Sequence, residues 1–334
     1  MKVLIIRFSS IGDIIFTTPV IRCVKQQLPD AEVHFLVKQK FKGVLNGNPY
    51  IDKLHVLGES FKETADALKK EKFDVIIDLH KNLRTFRLKA AIGGKWFSYN
   101  KESVEKFLLT KFGINKMSGE HITQRSLNAV KPLGVTDDGL GLDYYIDDNN
   151  QVDISKSLGL VFRDGYIAVV IGASFATKKM PTPKLQKLAA LIKYPVVLIG
   201  AKEEFDDAEI IARVAPQRIF NACGKFNLQQ SGSLVKQARL VISHDTGFQY
   251  IACAFQKPVI AIWGATSPKL DVEPYYGSSI KNPPYYNSIV PGLKCQPCSN
   301  YGTKTCPQGH FNCMEHQDLD RISALANKWF EESK

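Results

Sequence analysis

The 334-residue sequence lacks any apolar segment of the kind that crosses a membrane or directs secretion. No run reaches the roughly 18 apolar residues that a membrane-spanning helix needs. Arg7 and Asp13 interrupt the first apolar stretch, which argues against a secretory signal. Three of the seven cysteines lie in apolar or helical contexts typical of buried thiols: Cys23, Cys223 and Cys253. Together these features predict a cytoplasmic protein with reduced cysteines.

The sequence also lacks the glycine-rich fingerprints of common nucleotide-binding proteins. Neither a Walker P-loop nor a GxGxxG motif occurs, and residues 9–13, which follow the first predicted strand, contain only one glycine. This absence argues against a dinucleotide-dependent dehydrogenase. Internal repeats and low-complexity segments are absent as well.

Acidic residues are fewer than basic ones, which gives a formal net charge of +11. Such a surplus favours acidic partners: nucleic acid, an anionic membrane face or phosphorylated small molecules. The basic residues are spread along the chain, which favours a folded, basic-faced protein over a disordered arm. A basic nucleic-acid-binding protein is one alternative, although no binding motif or basic stripe with interleaved aromatic residues supports it.

Apolar runs alternate with amphipathic segments along the whole chain. The first half predicts strands near 2–7, 31–37, 53–57, 73–79 and 95–99, with helices near 13–27, 60–71, 82–92, 102–111 and 120–132. The second half predicts strands near 166–171, 195–200, 239–243 and 258–263, with helices near 182–193, 203–214, 228–237, 247–254 and 317–332. A polar stretch at 136–153 is the expected linker, and residues 268–291 are expected to form an irregular loop.

This alternation predicts an α/β protein with two doubly wound, Rossmann-like domains facing a cleft. The expected division is 1–155 and 156–334, and the last helix is expected to pack back on the junction.

Asp13 stands where the first predicted strand passes into a helix, at the edge of the sheet where open α/β folds bind ligands. An acidic residue at a helix start can equally be a simple cap. Four turns in the second half follow the same plan, at 172–181, 200–204, 221–225 and 244–247. They offer a serine and a lysine (Ser174, Lys178), a carboxylate for ribose, and a helix start suited to phosphate. Together these turns predict a site for a nucleotide diphosphate.

Six segments then carry a family resemblance, at 7–13, 78–84, 173–181, 224–225, 245–247 and 263–268. In this order, and over nearly the whole chain, they resemble glycosyltransferase family 9, the bacterial lipopolysaccharide heptosyltransferases. The resemblance implies a GT-B fold with an N-terminal acceptor-binding domain and a C-terminal nucleotide-sugar-binding domain. It implies inverting transfer of heptose from ADP-heptose to a lipopolysaccharide inner-core acceptor, with no obligatory metal cofactor.

The resemblance also implies site residues. Asp13 matches the family's catalytic base, and Lys178 matches the lysine that faces the diphosphate. The implied donor-binding residues are Ser174, Glu203, Glu204, Gly224, Lys225, Asp245, Thr246, Gly247 and Tyr250, with either Glu203 or Glu204 facing the ribose. Tyr250 replaces the family's usual histidine and Met180 replaces its common tryptophan, so a different nucleotide sugar stays an alternative donor. A non-catalytic nucleotide-sugar-binding protein is a further alternative.

The expected chemistry suits these residue types. A base removes the proton of the acceptor hydroxyl, while Lys178 and the N–H groups at Thr246 and Gly247 stabilise the leaving nucleoside diphosphate without a metal. The acceptor-binding residues are expected to be Ser10, Gly12, Lys81 and Arg84. The basic residues among them would recognise an anionic, lipid-linked saccharide at the inner face of the inner membrane, or would simply form a solvated helix face.

A cluster of cysteines near the C-terminus is separate from this site: Cys295, Cys298, Cys306 and Cys313, with His310 and His316 close in sequence. Such ligands suit a structural zinc ion. Reduced thiols or an oxidised pair are the alternatives.

Overall fold

A computed structural model describes residues 1–333, which form two compact units. The first unit comprises Met1–Lys101, Glu120–Tyr145 and Gly277–Ile280. The second comprises Glu102–Gly119, Ile146–Tyr276 and the described chain from Lys281 onward. The expected division into 1–155 and 156–334 differs from these units at three places. The structure assigns residues 102–119 and 146–155 to the second unit and residues 277–280 to the first.

The first unit contains a five-stranded parallel sheet: β1 (Lys2–Ile6), β2 (Glu32–Lys38), β3 (Lys53–Leu57), β4 (Val75–Asp78) and β5 (Lys95–Ser98). Its order is β3-β2-β1-β4-β5. Val3 to Ile6 of the central strand β1 are fully buried, as expected for a strand covered by helices on both faces. The helices are α1 (Ile11–Ile15), α2 (Thr18–Gln27), α3 (Phe61–Lys70), α4 (Leu83–Ile92) and α6 (Ile122–Asn128), while α5 (Ser103–Phe112) belongs to the second unit.

The second unit contains a six-stranded parallel sheet: β6 (Ile167–Val170), β7 (Val196–Ile199), β8 (Ile219–Asn221), β9 (Leu240–His244), β10 (Val259–Ile262) and β11 (Tyr285–Ser288). Its order is β11-β10-β9-β6-β7-β8. Its other helices are α7 (Ile154–Ser157), α8 (Thr182–Leu191), α9 (Phe205–Ala212), α10 (Leu228–Gln237), α11 (Gly247–Ala254), α12 (Asn312–Glu315) and α13 (Leu319–Glu332). The final helix α13 packs against α8 and β9.

Both sheets have the Rossmann strand order, so the prediction of two doubly wound units is confirmed. In such a sheet the strand order reverses between two neighbouring central strands, and ligands bind at their carboxyl ends. The reversal lies between β1 and β4 in the first unit and between β6 and β9 in the second. The loops after these four strands are therefore the positions to examine for a site.

Two predicted elements were wrong in detail. The helix expected at 13–27 is divided into α1 and α2, because Pro19 has no N–H with which to continue the hydrogen-bond ladder. The hydroxyl of Thr18 donates to Ile15 O at 2.8 Å beside this break. The loop expected at 268–291 contains β11, an edge strand that pairs in parallel with β10. Its sequence, Tyr-Tyr-Asn-Ser, is polar and lacks the apolar run that predicted the other strands. Among the described residues, no helix combines the length and apolar composition needed to span a bilayer.

Candidate active site

Asp13 lies in the first turn of α1, directly after β1. Arg7 Nη2 lies 2.6 Å from Asp13 Oδ1, and the backbone N–H and hydroxyl of Ser10 donate to Asp13 Oδ2 at 3.0 and 2.9 Å. The carboxylate thus caps the start of α1 and also pairs with an arginine. Because its side chain is still 25% exposed, it remains accessible to a ligand.

The charge state of Asp13 follows from these partners. Burial alone would raise its pKa, but the charge of Arg7 and the hydrogen bonds from Ser10 outweigh burial and lower the pKa below its ordinary value. Arg7 is itself fixed, since its other nitrogens donate to Leu79 O and to Ser9 O. Asp13 is therefore an oriented anion at neutral pH.

The loops after β4 and β5 add basic groups to the same edge of the sheet. Lys101 Nζ donates to His80 O at 3.2 Å and to Lys81 O at 3.1 Å, and Lys81 Nζ lies 3.3 Å from Tyr99 O. Burial, followed by the charge of Arg7, lowers the pKa of Lys101. The same two causes lower the pKa of His80 to about 3, so its imidazole is neutral.

Of the predicted acceptor-binding residues, Ser10 and Gly12 share the start of α1 with Asp13, whereas Lys81 lies in the loop after β4, where its N–H donates to Asp78 Oδ1 at 2.8 Å. Arg84 lies exposed on α4. His80 and Lys101 were not among the predicted site residues. His80 could have been found from its place directly after a central strand, whereas Lys101 lies beyond β5 and gave no local signal.

In the second unit, Lys178 and Asp245 form a largely buried ion pair. Lys178 Nζ lies 2.7 Å from Asp245 Oδ2. Thr266 Oγ1 donates to the same oxygen at 2.8 Å, and the hydroxyl of Tyr250 donates to Asp245 Oδ1 at 2.9 Å. Asp245 thus has three partners, and its ion pair holds the amino group of Lys178, from the loop after β6, beside the loop after β9.

The helix α11 begins at Gly247, with Thr246 as its N-cap. The Thr246 side chain makes no cap hydrogen bond to the first turn. Since the first N–H groups of a helix have no partner within the helix, this start is suited to an anion. The lysine and the helix start lie at the carboxyl ends of the two strands where the order of the second sheet reverses.

The structure separates the two candidate ribose-binding acids. Glu204 is buried, pairs with Lys179 Nζ through Oε1, and accepts the Ala201 N–H at 2.9 Å through Oε2. A Cβ at Gly172 would lie 2.9 Å from Glu204 Oε2, so a larger residue there would require this carboxylate to shift. Glu203 is exposed on the adjacent turn.

The remaining predicted donor residues lie around the same sheet edge. Gly224 has a left-handed backbone (φ +70°), and a Cβ there would lie 2.8 Å from Lys202 Cα, so this turn requires glycine. Lys225 Nζ lies 4.8 Å from the centroid of the Phe220 ring. Ser174 is exposed in the loop after β6. Met180 is buried in the core, and its N–H donates to His244 Nε2 at 2.9 Å.

Two groups of possible metal ligands lie outside this site. The four C-terminal cysteines are free thiols, and Cys295 Sγ lies 3.8 Å from His310 Nε2. Within the described chain, the one set of three or more possible ligands whose atoms all lie within 4.8 Å of one another is His34, His55 and Glu71. Glu71 already accepts hydrogen bonds from two lysines, and their positive charges neutralise the carboxylate without a metal ion.

The chain is similar in sequence to proteins of one known family. The family model described as glycosyltransferase family 9 (heptosyltransferase) matches residues 62–304. Lipopolysaccharide heptosyltransferase 1 of Campylobacter coli is 26% identical over 293 residues, covering 80% of this chain and 84% of that protein. Lipopolysaccharide heptosyltransferase 3 of Escherichia coli K12 is 26% identical over 283 residues, covering 76% of this chain and 80% of that protein.

Solved structures share the fold. A family 9 glycosyl transferase from Veillonella parvula matches with a TM-score of 0.76 and 21% identity, covering 99% of this chain and 97% of that one. The E. coli heptosyltransferase WaaC with ADP matches with a TM-score of 0.68 and 18% identity, with full coverage of both chains. The fold is therefore the predicted GT-B fold. The chain belongs to glycosyltransferase family 9, the heptosyltransferase family, and is a glycosyltransferase.

Proposed function

We propose that this glycosyltransferase transfers a heptose from ADP-heptose to the inner core of a lipopolysaccharide, with inversion at the anomeric carbon. The observation that carries this proposal is the Lys178–Asp245 pair beside the start of α11, which offers one cation and several N–H donors to a diphosphate. The related chains named above are lipopolysaccharide heptosyltransferases, and one related structure contains ADP.

In the proposed reaction, the acceptor hydroxyl oxygen forms a bond to the anomeric carbon of the heptose. The bond from that carbon to the β-phosphate oxygen breaks, and ADP leaves with the electron pair. Asp13 takes the proton of the hydroxyl. Since Arg7 lowers the pKa of Asp13, this base is weak, and proton transfer is expected late, when bond formation has made the hydroxyl acidic.

The second unit would bind the donor. Lys178 and the N–H groups at Thr246 and Gly247 would carry the charge that develops on the leaving diphosphate. We assign the ribose contact to Glu203, because both oxygens of Glu204 already have partners. Ser174, Gly224 and Lys225 would border the nucleotide. No step in this scheme requires a metal ion.

The acceptor would bind at the basic edge of the first unit. Lys81 and Lys101 supply cations near Asp13, and Arg84 supplies another from the exposed face of α4. Carboxylate or phosphate groups of an inner-core saccharide have the complementary charge. His80 stays neutral and can exchange a hydrogen bond with a sugar hydroxyl.

We further propose that α5 contacts the cytoplasmic face of the membrane that carries this acceptor. Four apolar side chains on and after the helix are 48–66% exposed: Val104, Phe107, Phe112 and Ile114. Lys111 and Lys116 are exposed among them. Exposed aromatic residues together with lysines suit an anionic lipid surface, where the rings enter the interface and the lysines meet headgroups.

The donor is tested by incubating the purified chain with ADP-heptose, UDP-sugars or GDP-sugars and a deacylated inner-core acceptor, and measuring nucleotide release. Release from ADP-heptose alone supports the proposal. Release from another nucleotide sugar would reassign the donor, and the variant Tyr250→His would then show whether Tyr250 determines that choice. Binding of ADP without release of nucleotide from any of these donors would contradict the proposed pair of donor and acceptor.

Membrane contact is tested by sedimentation with vesicles containing anionic lipid. The double variant Phe107→Ser, Phe112→Ser is expected to lose binding while it keeps turnover on the deacylated acceptor. Leu160→Ser, which changes another exposed apolar residue, is the matched control and should bind vesicles as the wild type does. Equal binding by all three proteins would refute the contact through α5.

A further inference from the structure

One exposed aromatic side chain, that of Tyr301, has no part in the reaction proposed above. Its side chain is 61% exposed, and it lies in the segment 289–311 between β11 and α12. The structure describes every residue of this segment and contains no helix or strand in it. A loop of this length without its own secondary structure is uncommon in a compact unit unless it has a function.

The segment is joined to the loop that carries Lys178 through the neighbouring Thr177. Thr177 N donates to Thr303 O at 3.2 Å, and Thr303 N donates to Thr177 Oγ1 at 2.7 Å. Thr177 is buried, so water does not compete for these hydrogen bonds. Because this loop follows β6, the segment lies at the carboxyl end of the sheet, where the strand order reverses and ligands bind.

The same segment is also joined to the loop after β10. Gln296 Nε2 donates to Gly264 O at 2.7 Å and to Thr266 O at 3.1 Å. Ala265 N donates to Thr177 O at 3.0 Å, which joins the loops after β6 and β10 directly. A Cβ at Gly264 would clash with Thr177 O, so this close approach requires glycine. The segment is therefore fixed against both loops at once.

Tyr301 belongs to a turn of this segment at residues 299–302. The N–H groups of Tyr301 and Gly302 both donate to Ser299 Oγ, at 3.2 and 3.0 Å, and hold the backbone of the turn in place. Gly302 has a left-handed backbone (φ +94°), and a Cβ there would lie 3.0 Å from Lys178 Cγ and 2.8 Å from Phe175 Cβ. The turn at 299–302 thus packs directly on the stem of Lys178, and Tyr301 precedes that contact by one residue.

The strand order of the second unit indicates which part of a nucleotide sugar this turn would meet. Glu203 and Lys225, which we assign to the nucleotide, lie in the loops after β7 and β8, on one side of β6. The strands β9, β10 and β11 lie on the other side, and the turn at 299–302 belongs to the segment that follows β11. Since the diphosphate joins the nucleoside to the sugar, a diphosphate bound at Lys178 leaves the sugar on the side of this turn.

Tyr250, which replaces the family's usual histidine, is placed differently. It is buried, and its hydroxyl lies 2.9 Å from Asp245 Oδ1 and 2.9 Å from Val272 O, so its polar atom is already engaged within the protein. All twelve tyrosines of the chain are described, and Tyr301 is the one among them that is exposed. An aromatic contact to the sugar is therefore expected from Tyr301 rather than from Tyr250.

We propose that Tyr301 contacts the sugar of the bound nucleotide-sugar donor. This inference rests on the proposed function, because it takes the diphosphate to bind at Lys178. A tyrosine ring offers an apolar face to the C–H groups of a sugar, and its hydroxyl can form a hydrogen bond with a sugar hydroxyl. Aromatic side chains with a few well-placed polar groups are the usual lining of such ligand sites.

The contact is tested by calorimetric titration of the wild type and of Tyr301→Ala with ADP-heptose and with ADP, in the absence of acceptor. Loss of the ring should weaken ADP-heptose binding about 2- to 10-fold, the range for one aromatic contact, and leave the ADP affinity unchanged. Tyr301→Phe keeps the ring and should lose less affinity for ADP-heptose. Leu160→Ala, which shortens another exposed apolar side chain of the second unit, is the matched control and should bind both ligands as the wild type does.

The two ligands separate a contact to the sugar from an effect on Lys178. Equal ADP-heptose affinity in the wild type and Tyr301→Ala would overturn the contact. An equal loss of affinity for ADP and ADP-heptose would overturn it as well, because Tyr301 would then act only through the loop of Lys178. A wild type that binds another nucleotide sugar in place of ADP-heptose would contradict the proposed donor. In that case a selective loss of that nucleotide sugar in Tyr301→Ala would still support the contact, and unchanged affinity would overturn it.

Discussion

In each unit a carboxylate pairs with a basic side chain near the carboxyl end of a central strand. The two pairs differ in which partner is the more buried. In the first unit the cation is the more buried partner, with Arg7 9% and Asp13 25% exposed. In the second the carboxylate is the more buried partner, with Asp245 9% and Lys178 15% exposed. The arginine therefore orients a partly exposed carboxylate, whereas Asp245 orients a partly exposed ammonium group. One pair suits proton transfer and the other suits binding of an anion.

The largest effect is expected from Asp13→Asn. Asparagine preserves the shape and can still accept from Ser10, but it cannot take a proton. Turnover should fall by about 10²- to 10⁴-fold, the usual contribution of a general base, while ADP affinity stays unchanged. A nucleotide-release assay and calorimetry measure the two. Asp66→Asn on the exposed face of α3 is the control, and near-wild-type turnover in Asp13→Asn would remove Asp13 from the role of base.

The next effect is expected from Lys178→Ala, compared with Lys179→Ala. Loss of Lys178 removes a charge-assisted contact to the diphosphate and should weaken ADP binding about 10- to 100-fold. Lys179 pairs with Glu204, so its loss should lower the melting temperature more than the ADP affinity. Similar loss of ADP affinity in both variants would show that the lysines act only through general charge.

The variant Arg7→Lys tests whether Arg7 positions and tunes Asp13. Lysine keeps the charge but cannot form the same set of hydrogen bonds, so the pKa of Asp13 should rise towards its ordinary value. Because activity needs the deprotonated acid, the acidic limb of the kcat/KM profile should move to higher pH. A lower kcat with an unmoved limb would indicate a purely structural role for Arg7. Unchanged melting temperature and ADP affinity would show that the variant is folded.

The smallest effect is expected from Tyr250→Phe. This change removes one of three contacts to Asp245 and leaves Lys178 and Thr266 in place. ADP affinity should fall about 2- to 5-fold, a fraction of the Lys178→Ala effect, because one neutral hydrogen bond contributes little. An effect as large as that of Lys178→Ala would mean that the tyrosine, rather than the ion pair, determines the geometry.

The regular pattern of the sequence predicted much of this architecture. Alternating apolar and amphipathic segments located the central strands, and the turns after them contained Asp13 and Lys178. The pairing of Lys178 with Asp245 could not be predicted, because it joins two loops that meet only when β6 and β9 become neighbours. Thr266 and Lys101 were missed for the same reason. The edge strand β11 was missed because its side chains are polar and its pairing is provided by β10.

Residues 102–119 belong to the second unit and residues 277–280 to the first, so neither unit is one continuous stretch of chain. The chain passes from one unit to the other five times. A fragment that ends at residue 145 would carry α5, which belongs to the second unit, and would lack the first unit's segment at 277–280. No single cut yields two intact halves, so donor and acceptor binding are better dissected by point variants than by truncation.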